Sequence, residues 1–125
     1  MADRITTHHL LFPRALWQRA GPSNDLRSSF VIKLRESAHD ALNDWIESGI
    51  GYIPPIPPRE LAIVYGRTKH NDGPLNHRLS HLIETIREVA DASTNSTVKF
   101  SMTLTWRNLE LQGQYLGILP KNQKE

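Results

Sequence analysis

The amino-acid sequence predicts an α+β fold in a single domain: two strands and a helix within the first fifty residues, followed by a further strand, a helix and a C-terminal β-hairpin. Three observations predict it. Strand-like runs rich in β-branched or alternating apolar residues stand at Arg4–Trp17, Phe30–Leu34, Leu61–Tyr65 and Val98–Trp106. Apolar residues recur at helical spacing in two places, over Ala38, Leu42, Trp45 and Ile46 and over Leu79, Leu82, Ile83, Ile86 and Val89. Gly, Pro, Asn, Asp and Ser cluster between these runs, where the chain must turn.

In order, Ile5, Leu10, Leu11 and Phe12 give a first strand that runs into an irregular loop at Pro13. Ala20–Asp25 is dense in turn formers, and Phe30–Leu34 (FVIKL) is a compact second strand. Ser37 stands where a helix cap would be, and Gly49 and Gly51 supply the stop. Residues 1–50 thus form one half. Residues 51–59 hold Ile53–Pro58 (IPPIPP), where proline fixes φ and removes the amide donor, so a stiff extended connector is expected. Residues 60–125 form the other half: a strand over Leu61–Tyr65 (LAIVY), a turn over Lys69–Gly73, a helix from Leu75 to about Ser93, and a hairpin pairing Val98–Trp106 with Leu109–Leu119.

A chain of 125 residues is long enough to bury a core without disulfides, and 38% hydrophobic with 22% charged residues is the balance of a globular chain. It has no Cys, which excludes a disulfide framework and a cysteine zinc knuckle; any metal must sit on His, Asn, Asp or Glu. Met1–His9 lacks a basic start followed by an apolar stretch, and no run approaches the roughly 18 apolar residues of a membrane span, so a cytoplasmic location and no membrane partner are expected. The net charge is +2 and the pI about 9.2, a mild bias toward polyanions such as DNA.

The chemistry-bearing residues concentrate in the first half. His8 and His9 are adjacent on the first predicted strand, while His39 and Asn43 are four apart on the first predicted helix. Four-residue spacing puts His39 and Asn43 on one side of that helix. Packed across the strands, they could share one divalent ion with a histidine of the first strand. Adjacent strand residues point to opposite faces, so His8 and His9 would take different jobs, one binding metal and the other accepting a proton from water. Hydrolysis of a phosphodiester needs both functions.

On the ordered set His8–His9, Asn24, His39 and Asn43, the sequence over residues 4–46 resembles the HNH, or ββα-metal, endonucleases. The resemblance implies a ββα-metal fold in the first half. It further implies His8, His39 and Asn43 as metal ligands, His9 as general base, and Asn24 as the residue that orients the base. It implies a divalent cofactor, Mg²⁺ foremost with Zn²⁺, Ni²⁺ or Mn²⁺ compatible with histidine donors, and a source in a phage or mobile element. Arg14, Arg19, Arg27, Lys33 and Arg35 flank the motif and are candidate phosphate contacts. The sequence departs from the family pattern in having Pro13 four residues after His9 rather than three, Gly21 without a paired glycine, and Asn43 where a histidine is usual.

These departures keep open a second class of function, a catalytically inactive inhibitor or adaptor that grips a protein partner, with an exposed apolar edge around Trp106 and Tyr115. A third class is a plain nucleic-acid-binding module, recognisable by steep salt dependence and no need for metal. His77 and His81 also stand four apart but fall opposite the apolar face of their helix, which makes them solvated residues rather than a second metal site. Trp17, Trp45 and Trp106 are dispersed and read as packing anchors.

Overall fold

A computed structural model describes residues 4–9, 31–47, 54, 56–70 and 72–120. Among these, the order is β1 (Ile5–His9), β2 (Val31–Arg35), α1 (Glu36–Glu47), α2 (Pro58–Thr68), α3 (Leu75–Ala92) and α4 (Ser96–Tyr115). The architecture is therefore mostly helical. Its one sheet among the described residues is a two-stranded antiparallel ribbon, and this corrects the predicted α+β arrangement of a ββα-metal half followed by a helix and a C-terminal hairpin.

β1 and β2 pair in the register Ile5↔Arg35, Thr6↔Leu34, Thr7↔Lys33, His8↔Ile32 and His9↔Val31. The ladder passes directly into α1, whose first amide, on Glu36, donates to the Arg4 carbonyl at 2.7 Å. The ribbon has two unlike faces. Ile5, Thr7, Lys33 and Arg35 are exposed, whereas Thr6, Ile32 and Leu34 are half-buried. α1 buries Leu42 and Ile46, one helical turn apart.

Two predicted strand regions are helices. Leu61–Tyr65 lies inside α2, which begins in the proline stretch: Pro58 occupies the first helical position, where a missing amide costs no intrahelical bond, and Leu61 N donates to Pro57 O at 2.8 Å. The connector expected over residues 51–59 therefore ends at Pro57. Of the run LAIVY, only Leu61 and Val64 are buried; with Thr68 they follow a 3–4 spacing that lays one side of α2 on α3.

The predicted C-terminal hairpin is the single helix α4, capped by Asn95, whose side chain accepts from Thr97 N at 3.0 Å and Val98 N at 3.1 Å. The helix ends in a Schellman turn: Ile118 N donates to Gly113 O at 2.9 Å, Gly117 N to Gln114 O at 3.1 Å, and Gly117 takes φ +78°. Alternation from Val98 to Trp106 misled because α4 is apolar on two opposite sides. Val98, Met102, Thr105 and Leu109 face inward; Phe100 and Leu104 face outward. At about 100° per residue, two opposed stripes alternate along the sequence much as a strand does.

α3 is the central helix. Leu79, Leu82, Ile83, Ile86, Val89 and Ala90 are buried on it, and it joins Leu61 and Val64 of α2 to Met102 and Leu109 of α4 in one core with Ile56 and Leu119. Thr105 Oγ1 donates to Pro54 O at 2.9 Å, tying the proline stretch to α4. Ile32 packs against the same core, and Trp45 of α1 stacks on Tyr115 of α4 with ring centroids 4.8 Å apart and planes at 7°. No helix among the described residues is long and apolar enough to cross a membrane.

Candidate metal site at the β1 and α1 junction

Helix α1 leaves the ribbon without a break and comes back against both strands. Its first turn consequently presents His39 to the half-buried face of β1. His39 Nδ1 lies 2.8 Å from Thr6 Oγ1, and the Thr6 hydroxyl lies 3.2 Å from the Leu34 carbonyl directly across the ladder. A hydroxyl has one proton, and a carbonyl can only accept. With the Thr6 proton given to Leu34 O, the shorter contact is filled by Nδ1–H donating to Oγ1. In a neutral imidazole so protonated, Nε2 carries the lone pair, which is the form that binds a metal ion.

Asn43 follows His39 by one helical turn and is half-buried. The His8 and His9 backbones lie on β1 opposite Ile32 and Val31, two and three residues along from Thr6. Asn24, Arg14, Arg19 and Arg27 lie outside the described residues. Within those described, no three side chains of His, Cys, Asp and Glu form a metal-holding group.

Lys33 and Arg35 do not join this site. Both are exposed on the ribbon face that carries Ile5 and Thr7, opposite to the Thr6 and His39 side. The pleat is the cause: odd positions of β2 share one face, and the residue facing His39 through Thr6 is Leu34. His77 and His81 are exposed on α3, away from the core-facing side of that helix.

Thr6 was not legible as a site residue. A threonine in a strand carries no signal of its own, and the pairing that selects it exists only once α1 has folded back against the ribbon. Trp106 is half-buried with two guanidinium groups near its ring, Arg87 at 5.3 Å and Arg107 at 5.7 Å from the centroid, so of the predicted apolar edge Tyr115 is exposed and Trp106 is not. No family model, no curated protein and no solved structure matches the chain.

Proposed function

We propose that the chain hydrolyses phosphodiester bonds of DNA with the help of a divalent ion held at the β1 and α1 junction. The observation that carries this is the Leu34–Thr6–His39 relay. An imidazole whose Nδ1 is tied at 2.8 Å to a hydroxyl that is itself held to the strand ladder has its ring orientation fixed, as metal-binding histidines do. His39 and Asn43 would hold the ion with His8, and His9 would take the proton from the attacking water. A bound Mg²⁺, or Mn²⁺, Zn²⁺ or Ni²⁺ on the same donors, would offset the charge that develops on the phosphate and the leaving oxygen. Asn24 would orient His9, as the resemblance to HNH endonucleases implies. Attraction of DNA would rest on the pI of about 9.2 and on Arg14, Arg19, Arg27, Lys33 and Arg35, of which Lys33 and Arg35 are exposed on the ribbon.

The test is incubation of supercoiled plasmid with the chain, and with His9→Ala and His39→Ala beside it, in EDTA or in each of the four metals. Nicking that needs metal and is lost in both variants is the expected result. If the intact chain nicks nothing in any metal, or if both variants nick as it does, hydrolysis of DNA by these residues is refuted.

A second function is favoured by a separate observation, the large apolar side chains left exposed on α4. A catalytically inactive inhibitor or adaptor would use that surface on a protein partner and would be indifferent to His9→Ala.

A further inference from the structure

We propose that the outer side of α4 is a docking surface for an amphipathic helix of a protein partner, with an acidic side chain of that helix opposite Arg107. This rests on the second function above and names its partner's chemistry. Phe100, Leu104, Arg107, Leu111 and Tyr115 are all exposed and follow one another at intervals of 4, 3, 4 and 4 residues. At about 100° per residue they fall within an arc of roughly 80°, and at 1.5 Å per residue the row runs for about 22 Å. Their exposures are substantial: Phe100 is 67%, Leu111 41% and Tyr115 48% accessible. Apolar residues exposed singly need no explanation, but four in line over four helical turns make a continuous strip.

The C-terminal end of this strip already serves a helix-on-helix contact, since Trp45 of α1 stacks flat on Tyr115. A second helix laid along the strip would extend that contact toward Phe100. Counted from Phe100, the strip is apolar at i, i+4, i+11 and i+15 with Arg107 at i+7, a ridge of the kind that helix-on-helix recognition reads.

Charge selects the partner. Arg107 stands at the middle of the strip, Lys99 adjoins its N-terminal end, and Arg87 of α3 lies on the same indole as Arg107. The acid on α4 is Glu110 alone. A second copy of the chain fits badly. In the antiparallel register that sets Phe100 on Tyr115 of the copy and Leu104 on its Leu111, the two Arg107 side chains meet beside the two-fold axis, with like charges in a contact that excludes water. A carboxylate in that place would instead form a paired, bidentate contact with the guanidinium.

The probe is a displayed library of four-turn helices, apolar at i, i+4, i+7 and i+11, with the position facing Arg107 varied among Asp, Glu, Ser, Lys and Arg. Selection against the full chain is run in EDTA, so its outcome is independent of hydrolysis. Enriched helices are expected to carry Asp or Glu there, to bind Phe100→Asp at least tenfold more weakly, and to change preference to Lys or Arg against Arg107→Glu. Both substitutions sit on exposed positions and should leave the circular dichroism spectrum unchanged. Failure to enrich, enrichment without acidic preference, or binding unmoved by Phe100→Asp would overturn the proposal. A concentration-dependent dimer that Phe100→Asp dissociates would also overturn it, assigning the strip to a second copy.

Discussion

Replacing Thr6 by Val removes one oxygen and keeps the shape and strand preference of the side chain. In the folded chain that oxygen donates to Leu34 O at 3.2 Å and lies 2.8 Å from His39 Nδ1, from which it accepts when Nδ1 carries the ring proton. Without it, Nδ1–H faces a methyl group, and the imidazole is no longer held in one tautomer or one ring orientation. A neutral hydrogen bond of this kind contributes about 1 kcal/mol to folding, and both residues are half-buried, so unfolding stability should fall by about 0.5–1.5 kcal/mol. Removing the hydrogen-bonding partner of a metal-bound histidine costs about 10–100-fold in affinity, which is about 1.4–2.8 kcal/mol. The loss in Zn²⁺ or Ni²⁺ binding should therefore exceed what destabilisation alone explains, and Thr6→Ser should recover most of it. Calorimetric titration of the metal measures the affinity, and ¹⁵N spectra of His39 in the metal-free chain report which ring nitrogen is protonated. A proton found on Nε2, or a Thr6→Val variant that binds metal within twofold of the parent while His39→Ala does not bind, would refute the orienting role of Thr6.

Four further substitutions concern the helical body. Asn95→Ala leaves the amides of Thr97 and Val98 without their side-chain acceptor and should lower stability by about 1 kcal/mol in urea denaturation, with Asn95→Asp close to neutral. Gly117→Ala meets no atom within 4 Å but must adopt φ +78°, so backbone strain alone should cost about 1–2 kcal/mol; Gly113→Ala has ordinary helical backbone but would place its Cβ 2.9 Å from Leu119 Cγ and 3.1 Å from Leu79 Cδ2, so its cost should shrink when Leu119 is shortened to Ala. Leu82→Ala empties a fully buried position on α3 and should cost about 2–5 kcal/mol, read from the midpoint of thermal or urea unfolding.

What the sequence by itself determined is the local order of the chain where one pattern had one solution. The 3.6-residue recurrence from Leu79 to Ala90 is one-sided, and α3 follows it through to Ala92. The short β-branched run at Val31–Leu34 is a strand, and Leu42 and Ile46 mark the buried side of α1. The identities of His8, His9, His39 and Asn43 as candidate ligands, and the spacing that sets the last two on one side of a helix, are also properties of the sequence.

Only the tertiary structure decided the rest, because the deciding terms are interactions between segments. Leu61–Tyr65 is too short to show a period; its helical state comes from the Pro57–Pro58 start and from packing of Leu61, Val64 and Thr68 on α3. Residues 98–106 alternate because α4 is apolar on two sides, and no local rule says that one of those sides lies on α3 while the other stays exposed. The same holds at the candidate site. Lys33 and Arg35 are near His39 in sequence but lie across the ribbon from it, and Thr6, 33 residues away, is the side chain that holds the imidazole. Strand register and the return of α1 onto the ribbon fix those neighbours, and both go with the burial of Leu42 and Ile46 and the packing of Ile32 against a core whose residues are remote from it along the chain.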